Sequence, residues 1–177
     1  LHVPKTLVRY GEYADISATP DGGVEFRYHG PTIGIGPTIM LPVAAVYQIF
    51  GVGLLQGRLV IVAYFLIAIG AGYLLARRMY GLWPGLLALA LLLASRSINY
   101  EGLIEYGRQV LGEAPGMAFV FLGMLAWLAA LANAKQPETR RSHIAWSIAA
   151  GLGFGMALVT KNQFVLIVPL ALFLTAA

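Results

Sequence analysis

The feature that most constrains this chain is a run of 21 residues without a charge, residues 114–134. A hydrocarbon core takes roughly 20 apolar residues of helix. Inside it, every backbone polar group must be bonded within the protein, which a helix does by itself. The run is therefore expected to cross a bilayer. Glu113 stands directly before it. Neither solubility nor packing asks for an acid at the edge of a span, and its place suggests chemistry at the membrane surface. The whole chain agrees with a membrane setting: 59% of its 177 residues are hydrophobic and 11% are charged, against about 25% charged in soluble domains. The expected class is all-α, a polytopic transmembrane helical protein.

Charges divide the rest. Residues 1–30 are polar and include four acids, Glu12, Asp15, Asp21 and Glu25, with a PDGG turn at residues 20–23. Residues 31–57 are uncharged but interrupted by Pro and Gly, and their longest helix, about residues 38–50, is too short to span at 1.5 Å per residue. It is expected to lie in the interface. Together residues 1–57 form an external loop with an interfacial helix. Residues 58–177 hold about five spans, at 59–76, 79–95, 114–134, 144–160 and from 162 onward, the last one truncated. The chain begins without Met and stops inside an apolar run, so it is expected to be a fragment of one transmembrane domain. Gly151, Gly153 and Gly155 permit close helix approach. No signal peptide is visible.

Lys and Arg in short loops set orientation. If residues 38–50 do not cross, Arg77, Arg78, Lys135, Arg140 and Arg141 share one side, the cytoplasmic one. The N-terminal loop, the 98–113 connector and Lys161 share the other. Crossing by residues 38–50 would turn the five cations outward, against the rule. The net charge of +4 thus speaks to orientation and not to nucleic acid.

Three polar clusters carry candidate chemistry, and each has a plainer reading. Glu12 and Asp15 are three apart and would share a face if helical; as a plain loop they are solvated acids. Glu101, Glu105, Arg108 and Glu113 line the outer connector. Glu113 precedes Ala114-Pro115, and Pro suits a first helical turn, so the acid could simply favour a helix N-terminus by roughly 0.3–1 kcal/mol. Thr160-Lys161-Asn162-Gln163 separates two spans. A cation at mid-bilayer costs on the order of 2.5–3.5 kcal/mol, so Lys161 belongs at the outer boundary or in a polar cavity, either snorkelling or holding a lipid phosphate. Arg58 and Arg96 share that choice.

Other chemistries find no footing. His2, His29 and His143 show no metal-ligand spacing. With no cysteine, disulfides and thiolate sites are excluded. Nucleotide-type glycine loops and serine-nucleophile elements are missing from the sequence.

In order along the chain, YGEYADIS (residues 10–17), GPTIMLPVAAVYQIFGVGLLQGRLV (residues 36–60), GRQVLGEAPGMAFVFLG (residues 107–123) and GLGFGMALVTKNQFVLIVPLAL (residues 151–172) resemble the GT-C membrane glycosyltransferases. The likeness is to the group of protein O-mannosyltransferases and lipid A aminoarabinose transferases, glycosyltransferase family 39-like. The four pieces look like the acidic motif of the first external loop, the Pro-rich interfacial helix, the second external loop entering a span, and a Gly-rich span with a Thr-Lys boundary. The resemblance covers nearly all of the chain.

The resemblance implies transfer of a sugar from a polyprenyl-phosphate donor to an acceptor outside the cytoplasm, whether protein, lipid or glycan. It implies an integral, multi-pass protein of the plasma (inner) membrane with the site facing outward, among membrane lipids and without nucleic acid. A carboxylate must hold or deprotonate the nucleophile, for which Glu12, Asp15 and Glu113 are the candidates. Cations must stabilise the leaving phosphate, for which Arg58, Arg108 and Lys161 are the candidates. No metal site is implied by these residues, and the reaction leaves room for a divalent cation. In one departure, the family's Asp-Glu pair normally precedes the Tyr-Ala step by several residues. Here Arg9 and Tyr10 occupy that stretch and Glu12 directly precedes Tyr13-Ala14.

Two other classes compete. A transporter or flippase for lipid-linked glycans would place its site near mid-bilayer and often show repeats; here the acids stand at the outer edge and no repeat is seen. A non-catalytic membrane subunit would tolerate replacement of Glu12 and Glu113.

Overall fold

The computed structural model describes residues 2–28, 36–94, 112–134, 140–166 and 173. Its described helices are α1 (His2–Tyr10), α2 (Pro37–Phe50), α3 (Leu54–Tyr80), α4 (Leu82–Ala94), α5 (Glu113–Ala134) and α6 (Arg140–Thr160), followed by a 3-10 turn, Asn162–Leu166. Three of these, α3, α5 and α6, are long and apolar enough to cross a membrane. The all-α polytopic expectation holds.

Element ends follow from local chemistry. Pro37 opens α2 in the first turn, where its missing N–H costs nothing, and Gly51 ends it at φ +83°. The 14 residues of α2 reach about 21 Å, short of a hydrocarbon core. α3 runs 27 residues, longer than the expected 59–76. Leu54–Gly57 extends it at the start, and the flanking Arg58, Arg77 and Arg78 stay within the helix, because long cationic side chains bend toward water without breaking backbone hydrogen bonds. Gly81, at φ +93°, closes it and donates its N–H to the Arg77 carbonyl at 2.9 Å.

The expected second span opens at Leu82 as α4, 13 described residues long. The start of the expected fifth is the 3-10 turn, and residues 167–172 lie outside the described residues.

The N-terminal region is more structured than a loop. α1 precedes an antiparallel hairpin of β1 (Asp15–Ala18) and β2 (Val24–Arg27), with Asp15 opposite Arg27 and Ala18 opposite Val24. The PDGG segment supplies its turn, where the Gly22 N–H reaches the Thr19 carbonyl at 3.0 Å. Of the two readings open for Glu12 and Asp15, the shared helical face is not the one taken. Gly11, at φ +75°, ends α1 and donates to the Leu7 carbonyl at 3.0 Å, the usual way a glycine stops a helix. Glu12 follows the helix and Asp15 opens a strand.

The helices pack around small residues. Gly153 of α6 crosses Gly123 of α5 so closely that a Cβ on Gly153 would sit 2.7 Å from the Gly123 Cα and 3.0 Å from the Phe119 carbonyl oxygen. Gly72 of α3 gives room to the Phe121 ring. α5 therefore runs beside α3 in the same direction and beside α6 in the opposite one. A compact apolar cluster joins Ile39, Val43 and Tyr47 of α2 to Ile61 of α3 and Ala114 of α5. It fixes the start of α5 beside α2. Arg77 and Arg78 at the end of α3, and Arg140 and Arg141 at the start of α6, lie at the other end of the bundle.

Candidate active site at the junction of α2, α5 and α6

The antiparallel pairing of α5 and α6 brings the first residue of α5 beside the residue just past α6. Lys161 and Glu113, 48 positions apart, form a salt bridge from Nζ to Oε1. Each charge also suits its helix end: an acid is favoured at an N-terminus and a cation at a C-terminus. Buried Gly112 lets the lysine stem lie across it, since a Cβ there would stand 3.2 Å from the Lys161 Cδ. The Lys161 side chain is 22% exposed and that of Glu113 39%, so the pair is reachable from outside but not freely solvated.

The second carboxylate oxygen is the unusual atom. Glu113 Oε2 is buried and has no hydrogen-bond partner among the described residues. A buried acceptor left unpaired costs on the order of 1–3 kcal/mol, and such atoms in native sites call for an explanation. The pair therefore combines a carboxylate oxygen able to take a proton donor with an ammonium that has spare donors for an anion.

Around it runs a polar seam. The Gly36 N–H donates to the Thr160 carbonyl at 3.0 Å. The Thr38 and Thr160 hydroxyls lie 2.7 Å apart. The Tyr64 phenol of α3 donates to the Thr38 carbonyl at 2.9 Å. A Cβ on Gly36 would collide with the Val159 carbonyl, so only glycine lets α2 enter here. The sequence offered Gly36 and Thr160 as motif letters but not as partners, because their contact spans 124 positions.

The other candidates stand elsewhere. Glu12 accepts a hydrogen bond from the Tyr28 phenol at 3.1 Å. That bond, then desolvation and the nearby carboxylate charge, push the Tyr28 phenol above its ordinary value. Asp15 accepts from the Ile16 N–H at 3.0 Å. Val8 of α1 packs against the apolar cluster that contains Ala114, which seats this lobe on the α2 side of the junction. Arg58 stands exposed on the second turn of α3. Arg108, with Glu101, Glu105 and Arg96, lies outside the described residues.

Among the described residues, no group of three His, Asp or Glu side chains could hold a metal ion. A lone carboxylate already paired to an ammonium is also a poor seat for a hard cation, which takes six or more oxygens as Ca²⁺ does. A groove of about 430 Å³ between α2 and α3, bordered by Val46, Phe50, Leu55 and Leu59, contains no charged group and offers no reacting atoms.

Three helices long and apolar enough to cross a membrane, with a charged junction at one end of the bundle, agree with membership of the GT-C superfamily. A family model described as dolichyl-phosphate-mannose-protein mannosyltransferase matches residues 36–177, and the chain belongs to that family. Its fold matches the apo crystal structure of ArnT from Cupriavidus metallidurans with a TM-score of 0.62 at 17% identity, over 90% of this chain and 27% of that one. A search of curated proteins gave no match. The family match contains Arg58, Arg108, Glu113 and Lys161, and it begins after Glu12 and Asp15.

Proposed function

We propose that the protein transfers a sugar from a polyprenyl-phosphate donor to an acceptor hydroxyl or similar nucleophile on the outer side of the membrane. The observation that carries this reading is the pairing of Glu113 with Lys161 at the edge of two spans, with Glu113 Oε2 buried and unpaired among the described residues. Glu113 takes the proton as the acceptor oxygen attacks the anomeric carbon. The bond from that carbon to the phosphate oxygen breaks, and its electron pair leaves with the polyprenyl phosphate. Lys161 stabilises the developing phosphate charge. Arg58 and Arg108 are further cations for the phosphate, and Glu12 and Asp15 are acids of the outer lobe for holding the acceptor.

Orientation supports the outer side. Arg77, Arg78, Arg140 and Arg141 gather at the far end of the bundle, which by the loop-charge rule faces the cytoplasm. The membrane is the plasma (inner) membrane in this reading.

The test uses the full-length protein in nanodiscs with a panel of polyprenyl-phosphate sugars, following free polyprenyl phosphate. Release by wild type that is lost in Glu113→Gln and in Lys161→Met is expected. Release that survives both substitutions removes the junction from the reaction. No release from any donor moves the protein toward transport of lipid-linked glycans.

A further inference from the structure

Thr160 has no task in the reaction above, yet it is completely buried. Its hydroxyl has one proton. That proton goes to the Met156 carbonyl of its own helix at 2.6 Å. The oxygen is then the acceptor for the Thr38 hydroxyl at 2.7 Å. Its backbone carbonyl takes the Gly36 N–H. Thr160 is thus tied to α6 once and to the start of α2 twice. Through Thr38 and Tyr64 the ties reach α3.

The next residue is Lys161. On its far side, the Phe164 N–H returns to the Lys161 carbonyl at 3.1 Å. The Phe164 ring lies where a side chain on Gly116 would be. The lysine backbone is therefore clamped before and after, while its ammonium reaches Glu113.

We propose that Thr160, with Thr38 as its partner, is a positioning residue for the reaction: it holds the Lys161 backbone against the start of α2 and so sets where the ammonium stands. The inference rests on the reading that Lys161 and Glu113 act on the substrate. Its physical basis is the steep cost of misplacement, where a shift of about 1 Å in a catalytic group lowers rate by about 10²-fold. A purely structural role predicts something else. Loss of a merely structural interhelical hydrogen bond would lower thermal stability slightly and leave turnover per folded molecule unchanged.

The full-length protein is assayed in nanodiscs for polyprenyl phosphate release, with kcat and KM for the donor normalised to folded protein. Thr160→Val keeps the shape and removes the hydroxyl. It is expected to lower kcat by about 10- to 100-fold, and Thr160→Ser to return it close to wild type. Thr38→Val breaks the same bond from the α2 side and is expected to lower kcat, with the double variant no worse than Thr160→Val alone. Lys161→Met and Glu113→Gln are run beside them. If those two turn over normally, the reading of the junction fails and the positioning role with it. If they are inactive while Thr160→Val and Thr38→Val keep wild-type kcat, the positioning role alone is overturned. Should Thr160→Val not fold, Thr38→Val decides: a lowered kcat supports the role and a wild-type kcat ends it.

Discussion

Glu113 and Glu12 are both acids expected on the outer side, and the molecule supports them in opposite ways. Glu113 begins a helix that two others enclose. Its neighbour Ala114 belongs to the apolar cluster of α2, α3 and α5, and its carboxylate is held by Lys161. Glu12 sits past the end of α1 and is held by Tyr28, an exposed residue just beyond a four-residue strand. The family match includes the first and begins after the second. A group that must meet a reacting atom within fractions of an ångström gains from three packed helices what a hairpin cannot give. The proposed reaction therefore puts proton transfer at the junction and gives the outer lobe contacts that tolerate movement.

The sharpest way to break this comparison is to remove each acid in turn. Glu113→Gln is expected to lower transfer by about 10²–10⁴-fold, the usual range for a general base. Lys161→Met should cost about 10²–10³-fold, as for other groups that stabilise developing charge. Glu12→Gln should cost less than either. Rates of polyprenyl phosphate release from the three variants decide it; a larger loss at Glu12 would reverse the assignment.

A second prediction concerns the support and not the acids. Gly153→Leu forces a side chain into the Gly123 crossing and is expected to destabilise the protein by about 1–3 kcal/mol, as overpacking does. Gly155→Leu, where a Cβ would meet nothing within 4 Å, should be mild by comparison. Thermal unfolding in detergent compares them. Equal effects would mean that the α5–α6 seam is looser than its geometry.

These differences also mark what could be read in advance. Three of the expected spans, now α3, α5 and α6, were legible because charge clusters bracket apolar runs, and Glu113 and Lys161 were each visible as charges at the edge of an apolar run. Their pairing was not, since nothing local links residues 48 apart; it depends on the Gly123–Gly153 crossing that sets the register of α5 on α6. α1 was missed because nine residues make barely two and a half turns, too few for a clear period. The hairpin turn was read from PDGG, but strands of four residues carry too little alternation to be seen. Whether Glu12 and Asp15 share a helical face stayed open in the sequence, because spacing alone cannot say that Gly11 adopts a positive φ.

The smallest expected effect sharpens the outer side of the comparison. The Tyr28 phenol donates to the Glu12 carboxylate. That bond first, then partial loss of water around the phenol and the carboxylate's charge, hold its pKa above the ordinary value. Because the folded pKa is raised, the bond's contribution is fully present below the unfolded tyrosine pKa, about 10. It fades as pH rises through the higher folded value, where the phenolate no longer donates. Glu12→Gln removes the charge, and Tyr28 should then titrate nearer its ordinary value. Ultraviolet titration of the full-length protein, referenced against Tyr28→Phe to isolate one phenol, reads the shift. A Tyr28 pKa unaffected by Glu12→Gln would mean that the bond is not held in solution, leaving Glu12 even less fixed than the hairpin geometry makes it.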